Sequence, residues 1–424
     1  MYLGVRPEPG QSIAVVGAGV SGLLSAYAAQ RAGYQVSVFE SANTPGGLIG
    51  TAQTPWGRAE HALHALRSTP PVLKLLGELK LPVYPLKKSQ KARWIFDRGQ
   101  IHRIPLRPRF LLQVTLRALS QRSAVSLKDL SVGDVGRFFL GPEFVESVLD
   151  AAMTGVFALP ADQISMEAAF PHLIPKQGEA LWSWARRARS VRTQKYGKGV
   201  ISMITLKNGM SALIEALANK LEPHVHLNHP IPSLDTLTHA FDHIILAAPA
   251  AVASRLLASH IPDAARALER VQYVSLRTTT VFLKIAPHSV HPRGTGVLFT
   301  PRSQEDFLGI LFHHTSFGIP LKGEANFSMT FLSKLDTSLD QLLEKAKACI
   351  TKVWGDGFDI LGAEDYYWKE ALPQYNADLP KVWAETQRAL FEAHHSNQHS
   401  ISIFGNYTGQ ISVRGLIETA YDWF

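Results

Sequence analysis

Ile13-Ala14-Val15-Val16-Gly17-Ala18-Gly19-Val20-Ser21-Gly22 is the stretch that decides the fold. Its four leading apolar residues suit a buried parallel strand. Three glycines in GxGxxG spacing follow, then a helix-like stretch from Leu23 to Ala32 that ends at Gly33. Val36-Ser37-Val38-Phe39 reads as a second strand, and Glu40 closes it eighteen positions after Gly22. Strand, glycine turn, helix, strand and acid together form a dinucleotide site. Gly17 permits the tight turn, Gly19 lets backbone approach a pyrophosphate, and Gly22 lets helix and strand pack closely. Ser21 lies in the first helical turn, whose free N–H groups and positive dipole end favour phosphate. Glu40 is placed to accept hydrogen bonds from ribose hydroxyls. A merely glycine-rich turn would leave Glu40 unexplained. The motif by itself does not separate NAD from FAD.

The chain has 424 residues, too many for one ordinary core, so two or three domains are expected. Hydrophobic residues at 46% against charged residues at 18% exclude a disordered chain. The stretch Met1 to Ser12 has no basic region leading into an apolar run, which predicts no signal peptide. No run reaches about 18 apolar residues, so no transmembrane helix is expected. Cys349 is the single cysteine, which excludes an intramolecular disulfide and a cysteine-rich metal site. A reducing, cytoplasmic setting is compatible with it.

The net charge of +8 is unevenly placed. Twelve Lys/Arg lie between Lys87 and Arg137, against only Asp97, Asp129 and Asp134. Such a field attracts anionic lipid, nucleic acid or an acidic substrate; a solvated helical surface is the other reading. No nucleic-acid-binding motif accompanies it, so no nucleic acid is expected as a partner. The apolar runs Phe110-Leu111-Leu112 and Phe138-Phe139-Leu140 lie in or beside the same segment. Peripheral association with an anionic membrane surface is therefore the expectation.

Pro45-Gly46-Gly47-Leu48 adds to the dinucleotide motif. It resembles the extended fingerprint of the amine oxidase and phytoene desaturase flavoprotein superfamily, in which the glycine pair lets backbone run close to FAD. The resemblance continues in order. Asn208-Gly209-Met210 precedes an amphipathic helix, Ser211 to Leu221. Val225-His226-Leu227 and Pro230-Ile231 resemble the strands beside the adenine, with Ile231 at the family's apolar adenine contact. Asp242 to Pro249 resembles the family's strand ending in a small-residue-Pro corner.

Four further segments resemble the protoporphyrinogen oxidase family. They are Gly155-Val156-Phe157-Ala158 with Ile164-Ser165 and Ala168-Ala169-Phe170-Pro171; Gly296 to Pro301 with Leu308 to Phe312; Trp368 to Tyr375; and Gly405-Asn406-Tyr407-Thr408-Gly409-Gln410-Ile411-Ser412-Val413. In the last, glycines at 405 and 409 let backbone pass the isoalloxazine, and a helix after Val413 would aim its positive end at the flavin pyrimidine. Arg414 either adds a full charge there or is an exposed first-turn residue; a cation is not favoured at a helix start.

The resemblance implies non-covalent FAD, held by Gly17, Gly19, Ser21, Gly22, Glu40, Gly46, Gly47, Ile231, Gly405, Ser412 and Val413. It implies oxidation of a porphyrinogen to the porphyrin in haem biosynthesis, first of all protoporphyrinogen IX, with oxygen or another electron acceptor. Coproporphyrinogen, an amine or a polyene are the related substrates, and a non-catalytic flavin- or porphyrin-binding protein is the rival class. The implied substrate contacts are Arg67 for a propionate, the backbone at Ala158, and Phe317 and Phe331 for the macrocycle. Core packing stays open for both phenylalanines, and a plain surface arginine for Arg67. The sequence names no catalytic acid or base, no metal ligands and no oligomeric state.

Several departures from the family stand out. Glu60 is followed by His61-Ala62-Leu63-His64-Ala65 where the family keeps a Gly-Pro turn. Either histidine could shuttle protons, or be merely packed or solvated. Gln410, Leu159-Pro160 and Thr44 replace a glycine, a Gly-Asp pair and a basic residue. The expected architecture is α/β: a Rossmann-like FAD-binding domain (1–85, 200–256 and 388–424), a mixed-sheet substrate domain (86–96 and 257–387) and a helical, membrane-associating insert (97–199). Thr278 to Leu283 and Phe327 to Leu332 read as strands, and Val145, Val148, Leu149, Ala152 and Met153 have helical spacing.

Overall fold

A computed structural model of the chain describes residues 3–104, 130–176, 178–196, 201–287, 293–396 and 400–424. The apolar run at 110–112 and the basic residues 107, 109, 117, 122 and 128 lie outside the described residues.

A six-stranded sheet forms one half. Its order is Leu3–Gly4, Ile401–Ile403, His243–Leu246, Ser12–Val16, Gln35–Phe39 and Val225–His226. All neighbours are parallel except the antiparallel edge pair Leu3↔Ile403. A parallel sheet must be covered on both faces. Helices Val20–Arg31, Ser211–Leu221 and Val413–Trp423 cover one, packing Leu23, Leu213 and Leu416 over Val15 and Val38. Helices Ala250–Leu257, Pro262–Glu269 and Leu379–His395 cover the other, with Ala253, Leu268 and Leu390 over Ala14 and Leu246. The helix Pro262–Glu269 thus belongs to this layer, although the sequence placed it with the substrate sheet. Its apolar stripe Ala264, Ala265 and Leu268 is what takes it there.

A seven-stranded sheet forms the second half. Its order is Phe358–Pro373, Tyr273–Ile285, Phe327–Ser333, Phe307–Leu311, Gly296–Phe299, Arg93–Asp97 and Gln100–Ile104. Only the pair Gly296–Phe299 with Arg93–Asp97 is parallel. The hairpin partner Gln100–Ile104 falls in the range expected to be helical insert; it is the edge strand here. Strand side chains alternate between faces. Val281, Leu283, Phe327, Met329 and Phe331 point to one face, under helix Leu339–Trp354 with its Leu342, Ala346 and Ile350. Thr280 and Phe282 point to the other. Phe282 packs there on Ala59 and Trp56 of the hairpin Thr51–Thr54/Gly57–Glu60, which joins the two halves.

The described helical segments from 132 to 174 form their own cluster. Val132, Val135, Phe139, Val145 and Phe157 pack with Val274, Tyr375 and Leu379. Phe139 is buried and Phe138 and Leu140 pack against the same cluster, so this run is core rather than a membrane contact. Arg302 ties these helices to the sheet edge. It makes two hydrogen bonds of 2.7 Å to Asp97 and one of 2.8 Å to Glu146. Among the described residues no helix is long and apolar enough to cross a membrane.

Candidate active site

The glycine loop builds the phosphate end of the site. A Cβ on Gly22 would fall within the Gly17 carbonyl oxygen, so helix and strand meet at a distance only glycine allows. A Cβ on Gly19 would meet nothing within 4 Å, which leaves open space above the helix start. Helix Val20–Arg31 has Gly19 as N-cap and no side-chain cap. Its first N–H groups are thus left for a ligand's oxygens. Gly46 donates to Ala18 O at 2.9 Å and pairs with Gly19 as a parallel bridge, so the second glycine loop is laid directly on the first. Glu40 accepts from Ala18 N–H at 2.7 Å and Ala42 N–H at 2.9 Å, which fixes both loops around its carboxylate. Ser41 Oγ also donates to it at 3.2 Å, so of the about four lone-pair positions of a carboxylate one remains for a ribose hydroxyl. Ile231 is half-buried in the loop after Pro230, beside the Phe39 end of the sheet. This cradle fits an ADP-containing dinucleotide.

The far end is built from the C-terminal segment. Ser412 N-caps helix Val413–Trp423, accepting from Gly415 N–H at 3.2 Å. Tyr375 donates to Asn406 O at 2.6 Å, and Tyr407 donates to Ala248 O at 3.1 Å. Both tyrosines are 1% exposed, so the Gly405–Gly409 turn is held rigidly between the halves. Arg414 is only partly exposed: it donates to Tyr196 OH at 2.8 Å, and Tyr196 donates to the buried Glu418 at 2.9 Å. Tyr196 and Glu418 carried no local sequence signal. Their pairing spans 222 positions.

Between these ends lies the hairpin that ends at Glu60. Glu60 is 2% exposed. It accepts from Thr51 Oγ1 at 2.5 Å and from Met210 N–H at 3.0 Å, while Thr51 Oγ1 accepts from Ser211 N–H at 3.0 Å. The carboxylate therefore caps helix Ser211–Leu221 from another part of the chain, where its charge favours the helix dipole. Burial nevertheless raises its pKa above the ordinary carboxyl value, against the lowering by Thr51, Met210 and Arg58. Arg58 lies 3.2 Å away and is itself lowered by burial.

His61 and His64 follow. The His61 ring stacks on Tyr366 with centroids 3.5 Å apart, and its Nε2 is buried with no hydrogen-bond partner. Burial lowers its basicity, while nearby Glu364 raises it. His64 meets His313 edge to face at 5.9 Å, and neither of its ring nitrogens has a hydrogen-bond partner. Burial pushes it down to about 4. His313 is buried and meets Thr205 Oγ1 at 3.2 Å. Sequence motifs did not point to Tyr366, Glu364 or His313; strand and helix packing brings them to the seam.

The residues expected to hold substrate do not all meet. Phe317 is buried edge to face against His313 at 5.3 Å, near the seam. Arg67 is exposed on a short strand paired with Met203. Ala158 ends helix Asp150–Phe157 with φ +56°, buried in the helical cluster. Phe331 is a correction. It lies 4.7 Å from Phe307 on the helix-covered face, because alternation turns Thr330, not Phe331, toward the hairpin side. It is a core residue.

A doubly wound dinucleotide fold, a paired glycine cradle and a mixed sheet docked across it define an FAD-dependent oxidoreductase. A sequence profile described as flavin containing amine oxidoreductase matches residues 20–359, and the chain belongs to that family. It is 24% identical to protoporphyrinogen oxidase 2, chloroplastic/mitochondrial, of Arabidopsis thaliana, over 96% of this chain and 92% of the relative. It is also 24% identical to coproporphyrinogen III oxidase of Mycobacterium bovis, over 97% of this chain and 96% of the relative. Reduced UDP-galactopyranose mutase shares the fold with a TM-score of 0.72 at 14% identity, covering 97% of this chain and 92% of the other.

Proposed function

We propose that this protein oxidises a porphyrinogen to the porphyrin, with non-covalently held FAD and oxygen as acceptor. The observation that carries the reading is the near full-length match to porphyrinogen oxidases. Protoporphyrinogen IX and coproporphyrinogen III stand level, because the two relatives are equally similar at 24%. Bound FAD supplies the acceptor of a hydrogen and its electron pair. The chain's own residues bind, orient and exclude water. Gly17, Gly19, Ser21, Gly22, Gly46 and Gly47 would hold the pyrophosphate and its flanks, Glu40 the ribose, and the Gly405–Val413 segment the ring system. Cys349 is buried under the substrate sheet and its thiol is pushed up to about 12 by burial, which supports a cofactor without a thioether link.

Steady-state porphyrin fluorescence with protoporphyrinogen and coproporphyrinogen side by side tests the reading. Turnover of one at least tenfold faster in kcat/KM is expected. No porphyrin from either would refute it. Arg67 remains the proposed carboxylate anchor. The sequence suggested a partly desolvated pair worth about 2–5 kcal/mol. Its exposure reduces that to about 1 kcal/mol. Arg67→Ala should raise KM up to about fivefold with FAD content unchanged; an unchanged KM would place the anchor elsewhere.

Membrane association also belongs to the proposal. It is supported by Lys87, Lys88, Lys91, Arg93, Arg98 and Arg103, all exposed around one sheet edge. Arg137 does not contribute, since Asp134 and Asp162 hold it at 2.8 and 2.6 Å. Sedimentation with anionic but not neutral vesicles, reversed by salt, is the expected outcome. Equal behaviour with both lipids would leave a solvated surface.

A further inference from the structure

His61 stands where the two halves meet. It follows the Glu60 end of the hairpin, and its N–H donates to Gly50 O at 3.0 Å. The ring lies against Gly50, so closely that a Cβ there would collide with Nδ1. Gly50 continues the Gly46-Gly47 loop that is laid on the phosphate turn. The ring also stacks on Tyr366 of the opposite sheet, with centroids 3.5 Å and planes 28° apart. Tyr366 is itself fixed, donating to Glu364 Oε1 at 2.8 Å. Contacts with Gly50 and Tyr366 therefore hold the imidazole. Its Nε2 is nonetheless buried without a hydrogen-bond partner. A buried nitrogen left unpaired is costly. In a ring so placed, such an atom is a position that a ligand atom can take.

We propose that His61 is the acid–base residue of the oxidation, its Nε2 taking the proton that the substrate releases, with Tyr366 and Glu364 as its positioning residues. This rests on the flavin-dependent porphyrinogen oxidation proposed above. In one cycle the substrate loses a bridge C–H hydrogen with its electron pair to FAD and a pyrrole N–H proton to His61. A C=C–C=N conjugation forms in the substrate and the imidazole becomes imidazolium; bound FAD would supply the two-electron acceptor. Oxygen would be the final acceptor, taking up the hydrogen with its electron pair and the proton held by His61 and leaving as hydrogen peroxide. Both protein and cofactor return to their starting states.

His61 suits this better than His64. His64 is pushed down to about 4, so its conjugate acid is too strong for it to act as an efficient base near neutral pH. His61 is less deeply buried, and Glu364 supports its charged form. Glu364 and Tyr366 are the titratable groups facing it from the substrate sheet. On its own hairpin, Glu60 is turned to Met210 and Arg58 to Lys207 O.

The test uses the FAD-loaded full chain, with His61→Gln and Glu364→Gln. The first readout needs no substrate: the visible flavin spectrum is followed against pH. A spectral step is expected in the wild type and not in His61→Gln. The second is anaerobic flavin reduction by a porphyrinogen. His61→Gln should lower the limiting rate by about a hundredfold or more and remove the acidic limb of its pH profile, with FAD content unchanged. Glu364→Gln should keep the limb but move it to lower pH, because the carboxylate that favours the imidazolium is gone. A packing role would move neither. A rate within threefold of wild type with the limb intact in His61→Gln overturns the proposal, as does an unmoved limb in Glu364→Gln. If no porphyrinogen reduces the wild-type flavin, the substrate reading fails by itself. The spectral titration still decides His61: a step lost in His61→Gln supports its place at the flavin, and a step in both proteins or in neither overturns it.

Discussion

Gly22→Ala is expected to strip the flavin from the purified protein. The added Cβ would fall on the Gly17 carbonyl oxygen, a backbone atom that cannot rotate away. Strand Ser12–Val16 and helix Val20–Arg31 must then separate, and the helix N-terminus leaves its place under the phosphates. At least a tenfold loss of FAD affinity should follow, which is about 1.4 kcal/mol. Flavin absorbance per protein and titration of the apoprotein with FAD measure it. Gly19→Ala is the instructive companion. Its Cβ meets no protein atom within 4 Å, so the fold should survive with an unchanged melting temperature. The methyl would instead occupy the approach of the pyrophosphate. FAD affinity should therefore fall in both variants, and thermal stability in Gly22→Ala alone. Full flavin content in both would mean that the dinucleotide does not lie on this turn.

Acid should unfold this protein unusually early, between about pH 6.5 and 4. Four histidines are held in their neutral form, His243 and His313 buried and His64 and His314 half-buried. Burial, with a smaller contribution from His394, pushes His243 down to about 3. It is flanked by Ser400 and Ser402 hydroxyls at 2.8 and 2.9 Å. Burial also pushes His64 and His314 to about 4, and lowers His313 well below the ordinary value. In each the folded value lies below the unfolded one. The native state thus refuses protons that the unfolded chain accepts. The stabilisation is complete above about pH 6.5 and is lost as the pH falls toward the folded values. For His64 and His314 this corresponds to on the order of 3 kcal/mol each, and for His243 to somewhat more. Together they rival the roughly 5–15 kcal/mol that holds a typical domain. Glu60 and Asp150 act in the opposite sense, since burial raises their carboxyls and protonation relieves them. Two groups do not cancel four. Urea midpoints at pH 7.5, 6 and 5 should fall steadily. His243→Asn, which cannot titrate, should flatten the slope in the parallel-sheet half. A midpoint constant from pH 7.5 to 5 would contradict neutral burial.

The dinucleotide half was legible because its signals are local. A glycine spacing, a helix start and a closing acid sit within some thirty positions, and each has one steric reason. Strands expected at 13–16 and 36–39 form at Ser12–Val16 and Gln35–Phe39, and the helix expected from Ser211 to Leu221 forms with those bounds. The same local logic found the strand content of 278–283 and 327–332. It misplaced Phe331, because an aromatic strand residue reads alike on either face. Only the helix Leu339–Trp354, closing over one side, decides which face is core.

By itself, then, the sequence determined the class of the protein: the nucleotide fold, the flavin family and the order of its segments along the chain. Those depend on backbone conformation and near-neighbour spacing, which a few glycines and acids dictate. The tertiary structure alone decided the chemistry of the seam. Glu60 caps a helix 150 positions away, Tyr375 ties the flavin segment at Asn406, and His61 meets Tyr366 across the two halves. Such pairs carry no periodicity and no motif. They exist because two separately folded sheets bury their facing sides against one hairpin, and a buried polar atom must take whatever partner the opposite surface brings.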